Sequence, residues 1–123
     1  MSKPPATDML PNSSENKIDY YFGKSGPFSR LFPNYEERMP QIDMAKRVME
    51  ALIRDEKIMV EAGTGTGKTF AYLIPALLSG KKVVLSTGTK TLQDQIFFKD
   101  LPFLQGILPH PLRYSFFFPK RCW

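Results

Sequence analysis

The 123-residue sequence predicts an α/β fold in which a parallel βαβα unit carries a phosphate-binding loop. Three observations support this prediction. A glycine-rich octet fills residues 62–69, short apolar runs stand before and after it, and each run leads into a segment suited to a helix. Strand, helix, strand and helix in this order imply parallel pairing with a right-handed crossover.

The first predicted helix begins at Pro40, a residue that suits the first turn, and ends near Arg54. Its apolar residues recur at spacings of three and four, which makes one apolar face: Met44, Ala45, Val48, Met49, Leu52 and Ile53. Charged residues occupy the other face. The apolar run at residues 57–61 then suits a short strand that leads directly into the glycine-rich octet.

The octet reads Ala-Gly-Thr-Gly-Thr-Gly-Lys-Thr and departs from the pattern G-x-x-x-x-G-K-[ST] only at Ala62. Three glycines let the backbone curl, so that successive N–H groups can face an anion. Lys68 is predicted to reach the β- and γ-phosphates and Thr69 to join a Mg²⁺ shell, which makes both catalytic candidates. The predicted nucleotide-binding residues of the loop are Ala62, Gly63, Thr64, Gly65, Thr66, Gly67, Lys68 and Thr69.

Residues 69–80 are apolar nearly all round, as a helix buried against a sheet should be, and Gly80 is a suitable stop. Pro75 lies inside this segment and is expected to kink it. A second strand is predicted at residues 81–86. A third helix is predicted at residues 90–98, with a stop at Leu101 and Pro102.

The two ends of the sequence do not follow this pattern. Residues 1–25 are predicted to be a disordered leader, and the aromatics of residues 18–35 an irregular segment that packs on a neighbouring surface. Residues 26–105 are predicted to form the nucleotide-binding part. Residues 106–123 lack a clear period, which suggests an aberrant tail, out of frame or truncated. The lone His110, between prolines, is interpreted as a loop residue.

Composition narrows the class of protein. The net charge is +5, and the imbalance lies in residues 63–123, where eight basic residues face two acidic ones. A basic half of this kind is suited to binding polyanions; the alternative is a solvated basic surface without a ligand. The single cysteine, Cys122, can form no internal disulfide, so a reducing, cytoplasmic setting is expected. No signal peptide and no apolar run of membrane-spanning length is evident.

From about Gly26 to Pro102 the sequence resembles the N-terminal part of a superfamily 2 DNA helicase of the DinG/XPD type, YoaA-like members included. Glu61 with the octet resembles that superfamily's first helicase motif, in which Ala at position 62 is usual. The resemblance implies a partial RecA-like lobe and the cofactors ATP and Mg²⁺. It also implies that Gln41, in the segment 38–41, reads adenine; the alternative is an exposed glutamine at a helix start.

Residues 86–95 resemble the helicase motif that contacts the backbone of single-stranded DNA. The implied DNA-binding residues are Thr87, Gly88, Thr89, Lys90 and Thr91, and the alternative is a plain strand-to-helix connection. The family's acidic Asp-Glu-Ala-His box and second motor lobe are not found here. An iron–sulfur cluster is common in full-length members, but no ligand role is carried onto Cys122.

The implied activity is ATP hydrolysis coupled to translocation on single-stranded DNA and unwinding, with a role in DNA repair. For these 123 residues alone, nucleotide binding is expected and turnover near background, because phosphoryl transfer needs an acidic residue on the metal. The alternative is a non-catalytic nucleotide- or DNA-binding remnant. A small kinase is a minor alternative, since a kinase needs neither the Gln41 segment nor the DNA-contact motif.

Overall fold

The computed structural model describes residues 14–63 and 67–117, and divides the chain into two compact units between Val83 and Val84. The N-terminal unit contains four helices: α1 (Ser14–Phe22), α2 (Pro27–Leu31), α3 (Met39–Arg54) and α4 (Lys68–Leu78). The C-terminal unit contains α5 (Lys90–Gln95), a π-helical turn (Ile96–Asp100) and α6 (Leu101–Gln105). The side chains of residues 14–16 are not described.

The core of the N-terminal unit forms where α3 packs along α4, and α1 covers α3. The helix predicted from Pro40 is confirmed, and Ala45 and Met49 of its predicted apolar face are buried. Ile42 and Ala51 are buried as well, whereas Ile53, also predicted for that face, is 51% exposed. α4 is apolar on most of its surface and contributes Leu73, Ile74 and Pro75 to the core. Burial of several large apolar side chains, each worth about 1.5–3 kcal/mol, stabilises this contact.

The two predicted strands are not formed in the described residues, so the parallel βαβα unit is not observed. Residues 57–61 and 81–86 lie outside any helix and have no ladder partner. Their apolar side chains are exposed, with Met59 98% and Val84 94% accessible. A strand needs neighbouring strands for its backbone hydrogen bonds, and even an isolated pair of strands is at best marginally stable in water. The apolar sequence alone therefore could not produce the sheet.

The segment before α3 is more regular than the sequence indicated. Residues 1–13 lie outside the described part, but α1 falls within the predicted leader and buries Ile18, Tyr21 and Phe22. α2 begins at Pro27 and buries Phe28. α1 and α2 are too short for their apolar spacing to predict a helix. Both helices are stabilised by tertiary contacts of their aromatic rings.

The prediction that the last helix stops at Leu101 and Pro102 was wrong. The chain continues through the π-helical turn into α6, where Pro102 lies in the first turn. Proline is tolerated there because its missing N–H would have no helical acceptor. Leu101 and Leu104 are buried in the C-terminal unit, which favours the continuation.

Candidate nucleotide-binding site

The beginning of α4 has the backbone geometry of an anion site. Gly67 caps the helix in the left-handed conformation, with φ 75° and ψ 41°, and Lys68 is the first helical residue. The first N–H groups of a helix have no helical acceptor and carry its positive dipole end. An anion beyond Gly67 would therefore meet free donors. Residues 64–66 of the predicted loop lie outside the described residues.

Lys68 folds back over the loop that precedes it. Its Nζ donates a hydrogen bond of 3.1 Å to the carbonyl oxygen of Ala62, and the side chain is exposed. The Lys68 side chain thus connects the last part of the predicted loop to its first residue, Ala62. Thr69 follows in the first turn of α4 and is partly exposed.

Gln41 is brought to the phosphate loop from 26 residues away in the sequence. It lies in the first turn of α3, is only 7% exposed, and its Nε2 donates to the carbonyl oxygen of Gly67 at 3.0 Å. The alternative of an exposed glutamine at a helix start is therefore wrong. The α3–α4 packing is what joins the predicted base-reading residue to the predicted phosphate loop.

An aromatic cavity opens beside Gln41. Its volume is about 420 Å³, and its walls are formed by residues of α2, the connection to α3, and α4: Phe28, Phe32, Pro33, Asn34, Tyr35, Glu36, Arg38, Gln41 and Phe70. The Phe28 ring lies at the centre of this group, 5.2 Å from Phe70 and 6.1 Å from Tyr35. Aromatic faces of this kind are suited to stacking on a flat base.

Tyr35 is fixed in the cavity wall. Its hydroxyl donates a 2.7 Å hydrogen bond to the carbonyl oxygen of Phe22. Burial raises the pKa of Tyr35, the charge of Glu37 raises it further, and Arg38 partly offsets both. The phenol therefore stays neutral, and keeps its donor, throughout the physiological range. Sequence reasoning treated these aromatics as general packing; their position shortly before Gln41 was the signal that could have identified a pocket.

The residues present fit a purine nucleoside triphosphate with its magnesium ion. Aromatic walls and the Gln41 amide suit the base, while Gly67, the start of α4 and Lys68 suit the phosphates. In residues 14–63 and 67–117, no group of three or more acidic, histidine or cysteine side chains could hold a metal by itself. Magnesium would then bind together with the phosphates, with Thr69 as the protein hydroxyl.

The predicted DNA-binding residues lie together in the C-terminal unit. Thr89 caps α5, and its Oγ1 accepts from the N–H of Leu92 at 3.2 Å. The Thr87 hydroxyl donates to the carbonyl of Thr89, and Lys90 pairs with Asp94 at 3.1 Å. Gly88, Thr89, Lys90 and Thr91 are exposed. The hydroxyls of Thr87 and Thr89 thus bond to neighbouring backbone groups. The charge of Lys90 is only partly neutralised, because its pair with Asp94 lies at the surface.

Comparison with known proteins identifies the family of the chain. The profile of the family described as "DEAD/DEAH box helicase" matches residues 43–105, just over half of the chain. The chain belongs to this helicase family. The match includes the phosphate loop, α4 and the segment around Thr89, so both predicted motifs lie within it. A RecA-like lobe is the fold that the family implies.

Similar curated proteins point to the same part of the family. The chain is 47% identical over 94 residues to the ATP-dependent DNA helicase YoaA of Haemophilus influenzae, covering 76% of this chain and 15% of that protein. It is 46% identical over 89 residues to YoaA of Escherichia coli, covering 72% of this chain and 14% of that protein. It is 40% identical over 118 residues to the 3'-5' exonuclease DinG of Bacillus subtilis, covering 89% of this chain and 13% of that protein. The chain thus spans about one seventh of these relatives.

No solved structure matches the chain significantly. Among the helices described here, none has the length and apolar character needed to cross a membrane.

Proposed function

We propose that this chain binds Mg·ATP between α3 and α4, as the beginning of the first motor lobe of an ATP-dependent DNA helicase. The observation that carries the proposal is the hydrogen bond from Gln41 Nε2 to the Gly67 carbonyl. It joins the aromatic cavity to the phosphate loop, so that one ligand with a base and phosphates can contact both. The names of the YoaA relatives support ATP as the nucleotide and DNA as the substrate.

Each residue of the proposed site has a physical role. The aromatic cavity stacks on adenine, and the Gln41 amide pairs with the edge of the base. Backbone N–H groups of residues 62–69 surround the phosphates, Lys68 neutralises the β- and γ-phosphates, and Thr69 binds magnesium. ATP supplies the phosphoryl group whose transfer to water drives the full-length helicase. The chain's own residues bind and orient it.

The proposed fold of the complete lobe is the RecA-like sheet. Residues 57–61 and 81–86 would pair within it as parallel strands, and residues 26–105 would be its N-terminal part. Their exposed apolar side chains support this proposal, since such runs are typical of strands buried on both faces. A cytoplasmic setting, where DNA is accessible and a single cysteine stays reduced, belongs to the same proposal.

Single-stranded DNA is proposed to contact residues 87–91 through its phosphates. Exposed hydroxyls, the Lys90 charge and the excess of basic residues after position 62 support this role. Contacts of this kind give affinity without sequence specificity and weaken with salt. The whole helicase would use them for translocation and unwinding, with DNA repair as its setting.

For this chain alone we expect nucleotide binding with turnover near background. Hydrolysis needs an acidic residue on the metal, an oriented water and a positive charge opposite the γ-phosphate. The described residues place no carboxylate cluster at the start of α4. A non-catalytic nucleotide- or DNA-binding remnant is the second candidate. ATP hydrolysis by the purified chain well above background would contradict both this candidate and the expected low turnover.

Isothermal titration with Mg·ATP tests the binding proposal. Lys68→Ala should lower the affinity at least about tenfold, because a charge-assisted contact to the phosphates is lost. Lys82→Ala is the matched control, since it removes an exposed lysine of the same unit that lies outside the site. Equal ATP affinity in the Lys68 variant and the parent chain would contradict the proposal.

A further inference from the structure

Four aromatic rings of the C-terminal unit form a cluster at its surface. The Phe97 ring lies at the centre, and its centroid is 4.9 Å from that of Phe98 and 4.6 Å from that of Phe116. Tyr114 lies 5.4 Å from Phe97. Phe97 is partly buried, whereas Phe98 is 61%, Phe116 48% and Tyr114 39% exposed. The cluster therefore presents aromatic surface to solvent instead of closing into a core.

The rings of this aromatic cluster meet edge-on. The four contacts among them have interplanar angles of 82°, 79°, 69° and 61°. Around Phe28 in the N-terminal unit, by contrast, two neighbouring rings lie within 28° of its plane. An edge-on contact does not cover a ring with a parallel one, so an exposed ring such as Phe98 keeps area on which a flat base can stack.

The aromatic cluster and the proposed DNA-contact segment share one side of a continuous helix. Lys90 and Phe97 are seven residues apart, which is close to two helical turns, so they lie on the same side and about 10 Å apart along the axis. Helical backbone continues from α5 through Ile96, with φ −62° and ψ −49°. A DNA strand whose phosphates contact residues 87–91 can therefore reach the aromatic cluster by following α5.

A second contact places the chain after α6 along the same side of α5. Gln93 lies one turn after Lys90 and one turn before Phe97, and its Nε2 donates to the Phe117 carbonyl at 3.1 Å. Phe116, the preceding residue, contacts the Phe97 ring. Residues 114–117 thus extend from the Phe97 end of this side towards the Lys90 end, and their aromatic rings lie next to the proposed phosphate contacts.

The charges near the aromatic cluster favour an anionic partner. Residues 84–123 contain five basic and two acidic residues. Of the two acidic residues, Asp94 pairs with Lys90 and Asp100 is buried. Lys99 and Arg113, each next to a ring of the cluster in the sequence, are exposed. Aromatic rings beside basic side chains are the combination that binds single-stranded nucleic acid, through its bases and its backbone.

We propose that the aromatic cluster of Phe97, Phe98, Tyr114 and Phe116 stacks on unpaired bases of single-stranded DNA, with Phe98 and Phe116 as the main contacts. Every base has a flat face, so this surface tolerates any sequence. Bases of a duplex are stacked on each other, so the cluster favours a single strand over a duplex. This inference rests on the proposed DNA contact of residues 87–91 and adds a contact to the bases.

Two oligomers of equal length separate base stacking from phosphate contact: oligothymidylate, and an abasic oligomer that has the sugar–phosphate backbone alone. Phe98→Leu keeps an apolar side chain at this exposed position and removes the ring. Its affinity for oligothymidylate, measured by fluorescence anisotropy, should fall about tenfold. Its affinity for the abasic oligomer should stay within about twofold of the parent value. Lys90→Ala, which removes a phosphate contact, should weaken both.

Tyr20→Leu is the matched control. The Tyr20 ring also meets a neighbour edge-on, with its centroid 5.2 Å from that of Tyr21 at an angle of 81°, but it lies in the N-terminal unit. This variant should bind both oligomers like the parent chain. An equal loss of oligothymidylate binding in Tyr20→Leu and Phe98→Leu would show a general effect of removing an aromatic ring and would overturn the proposal.

Failure of base stacking differs from failure of the DNA contact. If the parent chain binds both oligomers equally well and Lys90→Ala weakens both, residues 87–91 contact phosphates but the stacking proposal is wrong. The same conclusion follows if Phe98→Leu weakens the two oligomers by the same factor. If the parent chain binds neither oligomer, the proposed DNA contact fails and the stacking proposal fails with it.

Proton NMR of the unmodified chain tests the same contact, should Phe98→Leu not fold. Ring protons of Phe98 and Phe116 should shift upfield when oligothymidylate is added, because the ring current of a stacked base acts at short range, and should not shift with the abasic oligomer. Shifts that appear only as the concentration of the chain alone rises would show that a second copy covers the aromatic cluster, and the proposal would be wrong.

Discussion

The two units differ in the size of the buried core on which each predicted binding motif rests. In the N-terminal unit, the large fully buried side chains of α1, α2 and α4 include Ile18, Tyr21, Phe22, Phe28, Leu73, Ile74 and Pro75. In the described part of the C-terminal unit, Leu104 alone is fully buried, and Phe98, Phe116 and Phe117 are exposed. The unit with the proposed nucleotide site thus has several large buried side chains in its core, whereas the unit with the proposed DNA-contact segment has a smaller core.

The difference explains how the N-terminal unit brings residues that are distant in the sequence into one candidate site. Gln41 meets Gly67 because α3 and α4 pack over their length, and both helices lie in the same unit. At the start of α5, Thr89 contacts Leu92 and Lys90 contacts Asp94, both at short range. α5 also has a long-range bond, from Gln93 Nε2 to the Phe117 carbonyl, but it involves none of residues 87–91.

The largest expected effect comes from the packed core. Leu73→Ala should lower the free energy of unfolding by about 3 kcal/mol, because a fully buried leucine leaves a cavity between α3 and α4. ATP binding should be lost with it. Leu104→Ala removes a fully buried leucine of the C-terminal unit and is the matched change.

Chemical denaturation and ATP titration of both leucine variants check the comparison. The Leu104 variant should keep the ATP affinity of the parent chain within about twofold while its C-terminal unit is destabilised by a similar energy. If Leu104→Ala abolished ATP binding as fully as Leu73→Ala, the two units would not be independent, and the comparison would be wrong.

The next effect concerns the start of α5. Thr89→Ala removes the cap on the Leu92 N–H and should cost about 1 kcal/mol of stability. Affinity for a single-stranded oligonucleotide, measured by fluorescence anisotropy at low salt, should fall as well. Thr89→Ser keeps a hydroxyl and should retain most of both. Equal DNA affinity in all three chains would remove Thr89 from the proposed contact.

A smaller gain is expected at Asp100. This residue is 9% exposed, and its Oδ2 has no hydrogen-bond partner among the described residues. Burial raises its pKa, while a hydrogen bond from Gln95 and the charge of Lys99 lower it. The raised pKa in the folded state means that ionisation of Asp100 destabilises the fold.

Asp100→Asn should therefore stabilise the C-terminal unit at neutral pH, by about 1 kcal/mol or slightly less. The stabilising protonated form is fully present below the ordinary carboxyl pKa and is lost as pH rises through the raised value. The gain should consequently vanish in acid. Thermal unfolding at pH 7 and near pH 3 measures it, and an equal gain at both pH values would show that charge is not the cause.

The smallest effect is expected at the surface pair between Lys81 and Asp55. Lys81 Nζ contacts the Asp55 carboxylate and the Leu52 carbonyl at the end of α3. The Asp55 side chain is 84% exposed and that of Lys81 39%, so Lys81→Ala should cost no more than about 0.5 kcal/mol. Denaturant midpoints in low and high salt measure it. A cost above that of Thr89→Ala would show that this pair closes the N-terminal unit.

Sequence reasoning could predict those features that depend on local patterns. The apolar spacing from Met44 to Leu52 predicted α3, and the Lys68-Thr69 pair predicted where α4 begins. It could not predict that α1 and α2 are helices, because their few aromatics are stabilised by contacts with distant residues such as Phe70. The strands were predicted from apolar runs, but a ladder depends on neighbours that the described residues do not supply.

The candidate site was foreseen in parts rather than as a whole. Gly67, Lys68 and Gln41 were identified by motif, while the bond between Gln41 and Gly67 arises from helix packing that no motif encodes. The aromatic cavity was missed, since Phe28, Phe32 and Tyr35 have no regular period along the sequence. The roles of Lys68, Thr69 and residues 87–91 remain predictions for the experiments above.

The exposed segment around Met59 has a consequence for handling the chain in solution. Residues 58–60 form an exposed apolar run outside any helix or strand, and such a run resembles the free edge of a sheet. Such edges pair with copies of themselves and start aggregates. The concentration of the chain will then decide how much monomer is available to any ligand. Dilute samples, checked by light scattering, are the proper starting material for every titration.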